Sequence, residues 1–479
     1  MAGRITRRSV IVGGLALAGG AVASPLLAGS ATAATDPGTG GAGPYAAGGE
    51  GLLVAPAAVP TLPWPAANEI VANTKVPSFP GTTFTVTDAA YGAKGDGRTD
   101  NTAAFRKAVN ACNAAGGGHV VVPSGTYVTG AIHLKSNVDL HLDAGATLKF
   151  SGDASKYPTV LTRYEGIECM NRSPMIYASG EHNIALTGAG TLDAGGTSSW
   201  NTGSDRAYLE SLIAKGVTDP RKRVVPGSGH KLRSTFVEPY NCDTVLIQGV
   251  TLKNPQFWQI HPTLCRNVTV DHVTTSGTRS NTDGCDPESS DHVIISNCRL
   301  AGNDDNVAIK SGRDDDGRRV NVPSQNIVIV DNRMTGPWGA ITCGSEQTGG
   351  IQNVYAYRNT ADGMRYGIFI KSNTRRGGFT HNINVDRLTA TNIQRAFAFA
   401  QMDYNGQTGT HKPGFGGWTI TNCTGDNTPY AVQMRGLSND HIDGLTVADS
   451  TFTHIDNPNS LTFVDHVTFR NVTVTGKPV

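Results

Sequence analysis

The sequence predicts an all-β solenoid, a single-stranded right-handed parallel β-helix with a short capping helix, and three observations predict it. Glycine makes up 58 of 479 residues, or 12%, while charged residues are only 16%; average chains hold about 7% glycine and far more charge. Short strand-forming segments recur at intervals of 20–50 residues, the spacing of a coiled repeat architecture. Beyond residue 118 long helical patterns nearly vanish. A helical bundle or coiled coil would instead be rich in Ala, Glu, Lys and Leu. Lys+Arg of 40 against Asp+Glu of 39 gives no electrostatic case for nucleic-acid binding.

The elements follow in order. Residues 1–33 are expected to form a twin-arginine export signal. Arg4, Arg7 and Arg8 give a basic start, Val10 to Leu27 is apolar, and Ala31-Thr32-Ala33 is a small-residue cleavage site. Gly residues and Pro25 interrupt the apolar run, which disfavours a membrane anchor, and no later stretch reaches the ~20 apolar residues of a span. Residues 34–80, rich in Gly, Ala and Pro, read as a flexible leader or loosely attached extension. The solenoid is placed at 81–479. It opens with a strand at Phe84-Thr85-Val86, a turn at Gly92–Gly97, and a helix over 101–115 whose Ala104, Ala108, Val109 and Cys112 share one face. This helix caps the first coil, covering an edge that would otherwise pair with another chain.

The repeat itself consists of Asn137–Leu142, Asn183–Leu186, Thr244–Ile247, Asn267–Val270, His292–Ile295, Asn326–Ile329, Asn353–Ala356, Asn382–Val385, Trp418–Ile420 and His466–Phe469. From Val245 the steps to Val268, Val293, Ile327, Val354 and Ile383 are 23, 25, 34, 27 and 29 residues. Many strands follow Asn or Asp, which suit coil corners. An antiparallel sandwich is the rival architecture, but Asn-Gly hairpin signals are scarce between segments. Residues 197–233 interrupt the repeat with a helical piece at Ala207–Ala214, then Arg221-Lys222-Arg223 and His230–Arg233. Two readings stand side by side for this insertion: a cationic lid for an anionic substrate, or a solvated loop. The eight cysteines form no C-x-x-C pair, so metal-ribbon and thioredoxin readings lack their signature, and the 105 possible full pairings stay open.

Chemistry concentrates in residues 281–312. Asp283 in Asn281-Thr282-Asp283-Gly284 and Asp305 in Asn303-Asp304-Asp305-Asn306 are 22 residues apart, about one coil. A one-coil offset returns the chain to the same face about 4.8 Å away, so three carboxylates meet in one patch. Crowded carboxylates raise at least one pKa, so that one group serves as acid while another serves as base. Cleavage of a glycosidic bond requires that division. The competing readings are ordinary turn formers or a calcium loop, the latter also applying to Asp314-Asp315-Asp316-Gly317, read here as a loop.

From Phe84 to about Val474 the chain resembles glycoside hydrolase family 28, the polygalacturonase family. The resemblance lies in Tyr91–Gly97 with Asp100, Gly116-Gly117-Gly118, Val122–Tyr127, and the Asn-Thr-Asp and Asp-Asp pair at the family spacing. Gly312–Arg319, Gly344-Ser345-Glu346 and Arg375-Arg376-Gly377-Gly378 resemble its bacterial exo-acting members. The resemblance implies a pectin-lyase-like β-helix and hydrolysis of α-linked galacturonan with inversion. It makes Asp304 the general acid and Asp283 with Asp305 the groups that activate water, and it calls for no metal or organic cofactor. Candidate substrate contacts are Asn281, Lys310, Arg313, Lys371, Arg375, Arg376 and, one coil before Asp283, His261.

The match departs at two positions. The family histidine is Trp338 here, and the arginine of the family Arg-Ile-Lys is Phe369, with Lys371 kept. An aromatic ring in place of a bidentate cation removes charge recognition and offers an apolar face. Three readings follow: a neutral or deoxy sugar such as rhamnose, in rhamnogalacturonan or a rhamnoside, stacked on Trp338 or Phe369; a uronate held by other cations; or a carbohydrate-binding solenoid without turnover. A polysaccharide lyase is a further alternative on the same architecture. Trp258 is placed either against sugar or in the core, and Tyr404 at the rim of the cleft. The expected protein is exported and monomeric, acts on a pectin-type polysaccharide or oligosaccharide, and has neither nucleic-acid nor membrane partners.

Overall fold

A computed structural model describes residues 55–195 and 200–476; the predicted export signal and the start of the extension lie outside them. The chain winds as a right-handed parallel β-helix. One face is a 13-stranded sheet running from Thr83–Thr85 to Val464–Arg470, parallel throughout. Val245, Val268, Val293, Ile327, Val354 and Ile383 are stacked in register through it, and all six are buried. The spacing read from the sequence is therefore the pitch of the coil. Each such side chain taken from water contributes about 1.5–3 kcal/mol.

The corners explain the recurrent asparagines. Asn137, Asn183, Asn267, Asn326, Asn353 and Asn382 all adopt φ between 54° and 63°, the left-handed region that Asn tolerates better than other non-glycine residues. Their amides also bridge coils: Asn353 donates to Asn326 (3.0 Å) and Asn382 to Asn353 (2.8 Å).

Helix α1 (Pro65–Asn73) and helix α2 (Thr102–Ala114) cover two surfaces. Helix α2 buries Ala104, Phe105, Ala108, Val109 and Cys112 over the first coil, as its spacing predicts. The extension behaves differently from its sequence reading. Residues 55–80 lie against the outer side of the 13-stranded sheet, where Leu62, Ala67 and Ile70 pack on Ile294, Val328, Val330, Tyr355 and Tyr357. Outward-facing side chains of a solenoid strand need such a cover, and this strap supplies it, pinned by Ala57 N–H to Asp271 (3.2 Å) and by paired bonds between Ser78 and Asn183.

A second face positions the site. Ile260, Cys285, Val307, Ile341, Ile368, Ala398 and Val432 succeed one another inward along it. All eight cysteines are buried thiols. No helix among the described residues is long and apolar enough to cross a membrane.

Candidate active site

Cys285 lies opposite Val307 on the next coil, which sets Asp283 opposite Asp305; Gly284 N–H donates to the Asp305 carbonyl at 3.0 Å. One oxygen from each of Asp283, Asp304 and Asp305 lies within 4.8 Å of the others. At that distance and an effective dielectric near 20, two carboxylates repel by about 3.5 kcal/mol, enough to move a pKa by about two units.

The three environments differ. Asp305 is 1% exposed, ion-paired with Lys371 Nζ at 2.8 Å and capped by the Gly339 N–H at 2.8 Å. A Cβ on Gly339 would come within 2.8 Å of the Asp305 carboxylate, so glycine is what allows this approach. Asp304 accepts from Asn281 Nδ2 at 3.2 Å and from the Asp305 N–H at 3.0 Å; desolvation, then the charge of Asp305, push it up to about 6. Asp304 alone of the trio retains appreciable exposure. Asp283 is buried, its Oδ1 has no hydrogen-bond partner, and its nearest cation is Lys310 at 3.7 Å. Burial first, and Asp304 second, raise its pKa well above the carboxylate range. Asp286, fully buried behind Asp283 with neither oxygen hydrogen-bonded, is raised in the same way by burial and Asp283.

The trio opens into a cavity of about 690 Å³. Asn281, Lys310, Arg313 and Lys371, four of the expected substrate contacts, line it. Lys310 stays charged despite its burial because Asp286, Asp283 and Glu346 surround it, and its Nζ rests 4.5 Å from the Trp258 ring. Trp258 and Tyr404 also line the cavity. Five expected contacts lie elsewhere. His261 is fully buried between Glu288 (2.8 Å) and Glu238 (3.6 Å), so it is a network residue and does not reach the cleft. Arg376 is buried on Asp314 and Arg375 reaches Asp314 and Glu210; both are held by the acid run that begins at Asp314. Phe369 is 1% exposed, packed with Tyr366, Phe399 and half-buried Trp338. The two aromatic replacements thus form a small outer core rather than a sugar platform. Lys371 Nζ lies 4.3 Å over the Phe369 ring, so Phe369→Leu is expected to cost about 1–2 kcal/mol of stability through lost packing and cation–π contact. The loss should appear in the thermal midpoint. A rise in KM larger than that destabilisation would show that the ring touches sugar.

Sequence reasoning missed the far wall. Helix α3 (Arg206–Ala214), the rest of the insertion and the turn of the antiparallel hairpin Thr159–Tyr164/Ile167–Arg172 line part of the cavity. They bring in Glu165, Arg206 and Arg233, beside Arg279 from the coil. Arg221, Lys222, His230 and Lys231 of the insertion are exposed, so the lid and solvated-loop readings each describe part of it. Arg206 is paired with Glu165 and Glu210. Arg233 donates to Asn281 Oδ1 at 2.8 Å and lies over the Phe257 ring, and among the described residues neither it nor Arg279 has a carboxylate partner. The segment Asp314-Asp315-Asp316-Gly317, read as a loop, is the first turn of helix α4 (Asp314–Val320), where acids favour the N-terminus.

The sequence profile of glycosyl hydrolases family 28 matches residues 112–428, about two-thirds of the chain. A probable polygalacturonase of Vitis vinifera is 29% identical over 378 residues, which are 75% of this chain and 72% of that one. An exo-poly-alpha-D-galacturonosidase of Dickeya chrysanthemi is 28% identical over 75% of this chain and 62% of its own length. Among solved structures, the exopolygalacturonase of Thermotoga maritima superposes with a TM-score of 0.81 at 35% identity, covering 86% of this chain and 95% of that one. Sequence profile, coil register and clustered carboxylates agree, and the chain belongs to glycosyl hydrolases family 28, enzymes that hydrolyse O-glycosyl bonds.

Proposed function

We propose that this enzyme hydrolyses an acidic, galacturonan-type polysaccharide from chain ends, with inversion, after export by the twin-arginine route. The observation that carries the substrate class is the charge of the cavity. Arg206, Arg233, Arg279, Lys310, Arg313 and Lys371 line it against Glu165, Asp283, Asp304, Asp305 and Glu346, and Arg233 and Arg279 are free of carboxylate partners among the described residues. Two guanidiniums whose charge no carboxylate offsets favour a carboxylated sugar. In this reading the insertion and hairpin make one end of the cavity blind, which suits a chain terminus, in keeping with the exo-acting relatives. The burial of Phe369 disfavours a neutral sugar stacked upon it.

In this reading Asp304, the accessible carboxyl with the raised pKa, donates its proton to the leaving glycosidic oxygen. Asp305, charge-paired with Lys371, deprotonates the water, and Asp283 helps to hold that water in place. Their oxygens are closer than the 6.5–9.5 Å separation usual for two inverting carboxylates, but that separation describes a pair flanking the sugar, whereas here two of three acids share the water. Homogalacturonan, rhamnogalacturonan and neutral glycosides, assayed side by side with and without chelator, test the proposal. Homogalacturonan should release short products with new reducing ends, a β-configured first product by NMR, no unsaturated chromophore, and no chelator effect. Cleavage of rhamnogalacturonan alone, an α-configured product, or ultraviolet-absorbing products would each overturn one part of it.

A further inference from the structure

The sheet that bears the catalytic side chains continues past them. Strands Tyr366–Lys371, Ala396–Gln401, Thr424–Arg435 and Thr451–Thr462 run in register, so Lys371 is followed by Gln401, Arg435 and Thr462, and Phe369 by Phe399, Gln433 and Ser460. At about 4.8 Å per strand, Arg435 stands roughly 10 Å beyond the Lys371 position. A separate groove of about 360 Å³ opens there, with Phe399 and Met434 in its floor and Arg395, Gln433, Arg435 and Ser460 around it.

Arg395 is the unusual member. Its guanidinium lies 4.6 Å from the Phe399 ring centroid, with Nε donating to Gln433 Oε1 at 3.0 Å and one terminal nitrogen to the Tyr366 hydroxyl at 3.4 Å. Among the described residues it has no carboxylate partner. Arg365, whose carbonyl accepts from the Arg395 N–H, lies 4.8 Å over Trp338 and is likewise without one. Arg435, in contrast, is neutralised by Asp403 at 2.8 Å. Two guanidiniums thus lie over aromatic rings with no carboxylate partner among the described residues. A guanidinium held on a ring keeps its remaining N–H groups for an anion.

We infer that this groove is a second anion-binding subsite, in which Arg395, backed by Phe399 and steadied by Gln433, takes the carboxylate of a uronate on the part of the polymer extending from the scissile bond toward the C-terminal coils. The inference rests on the acidic-polysaccharide reading above. It also gives the outer aromatic core a use: Trp338, Tyr366 and Phe399 carry cations, so charge recognition that Phe369 cannot supply is moved outward along the sheet.

The test compares kcat/KM for galacturonate oligomers from dimer to hexamer in the wild type, Arg395→Gln and Arg395→Lys. The wild-type hexamer-to-dimer ratio should fall about tenfold in Arg395→Gln, as expected for loss of one charged hydrogen bond, through KM rather than kcat. Arg395→Lys should keep part of the ratio, and added salt should erode it. An unchanged ratio in Arg395→Gln, in an enzyme that still cleaves the oligomers, overturns the subsite and leaves the substrate reading standing. Failure of the wild type to cleave galacturonates of any length sinks the substrate reading, and the assigned ligand of the groove with it.

Discussion

Asp304→Asn is expected to lower kcat by two to four orders of magnitude, the usual contribution of a general acid, with a much smaller change in KM. Asparagine keeps the shape, and its one oxygen can still accept from the Asp305 N–H, while its amide nitrogen replaces the oxygen that faced Asn281, so the substitution removes the proton and one accepting atom. The wild type should show its alkaline limb near pH 6, because Asp304 is pushed up to about 6 by desolvation and by Asp305 and acts only while protonated. Rate therefore falls as pH rises through that value, and the residual activity of Asp304→Asn should lose this limb. Stability supplies an independent readout with a fixed sign. A carboxyl whose folded pKa is raised stabilises fully below its unfolded value near 3.8 and loses that contribution as pH climbs through 6. The variant, free of that loss, should melt above the wild type at pH 7 and lose the advantage near pH 4. Retention of more than a tenth of wild-type kcat would remove Asp304 from the role of acid.

The same residues show how far the sequence can be read. The coil pitch was visible because one apolar strand per coil is preceded by an asparagine that turns the corner in the left-handed region, and that signal repeats at Asn137, Asn183, Asn267, Asn326, Asn353 and Asn382. The 22-residue offset between Asp283 and Asp305 was visible for the same reason: a parallel coil turns sequence distance into a single strand spacing. Side-chain direction was less accessible. Phe369 and Trp338 stand at aligned family positions, yet their burial depends on Tyr366 and Phe399 from neighbouring coils. Arg206, Arg233 and Arg279 come from an insertion and a coil corner with no shared periodicity, and only folding makes them one wall. The strap at 55–80 looked like a linker because its three apolar anchors are scattered through Gly, Ala and Pro, and their partners lie more than 200 residues downstream.

Arg223→Met should cost about 3–5 kcal/mol, the penalty for breaking a buried ion pair from one side, and should change which products appear. Arg223 is 1% exposed and ties three pieces together. One terminal nitrogen donates to Asp316 Oδ1 at 2.5 Å and to the Glu168 carbonyl at 3.0 Å; its other nitrogens reach the carbonyls of Val217 and Thr218. Asp316 is held below the usual carboxylate range, against its burial, by Arg319, the Glu168 N–H and Arg223. Methionine fills the space but takes these donors from the buried Glu168 carbonyl and from those of Val217 and Thr218, and leaves Asp316 with one cation fewer. These bonds join the insertion and hairpin to helix α4, whereas the solenoid is held by its own coil register. The loss should therefore appear as local opening rather than global unfolding: new protease cleavage within 200–233 at temperatures where the coils remain folded. Arg206 and Arg233 would then leave the blind end of the cavity, and longer oligomers should appear among products that the wild type releases as the shortest unit. Arg221→Met, two residues away and exposed, should change stability by less than about 0.5 kcal/mol and leave the products as they are. Identical proteolysis and identical product lengths in Arg223→Met and wild type would show that the closed end does not depend on this anchor.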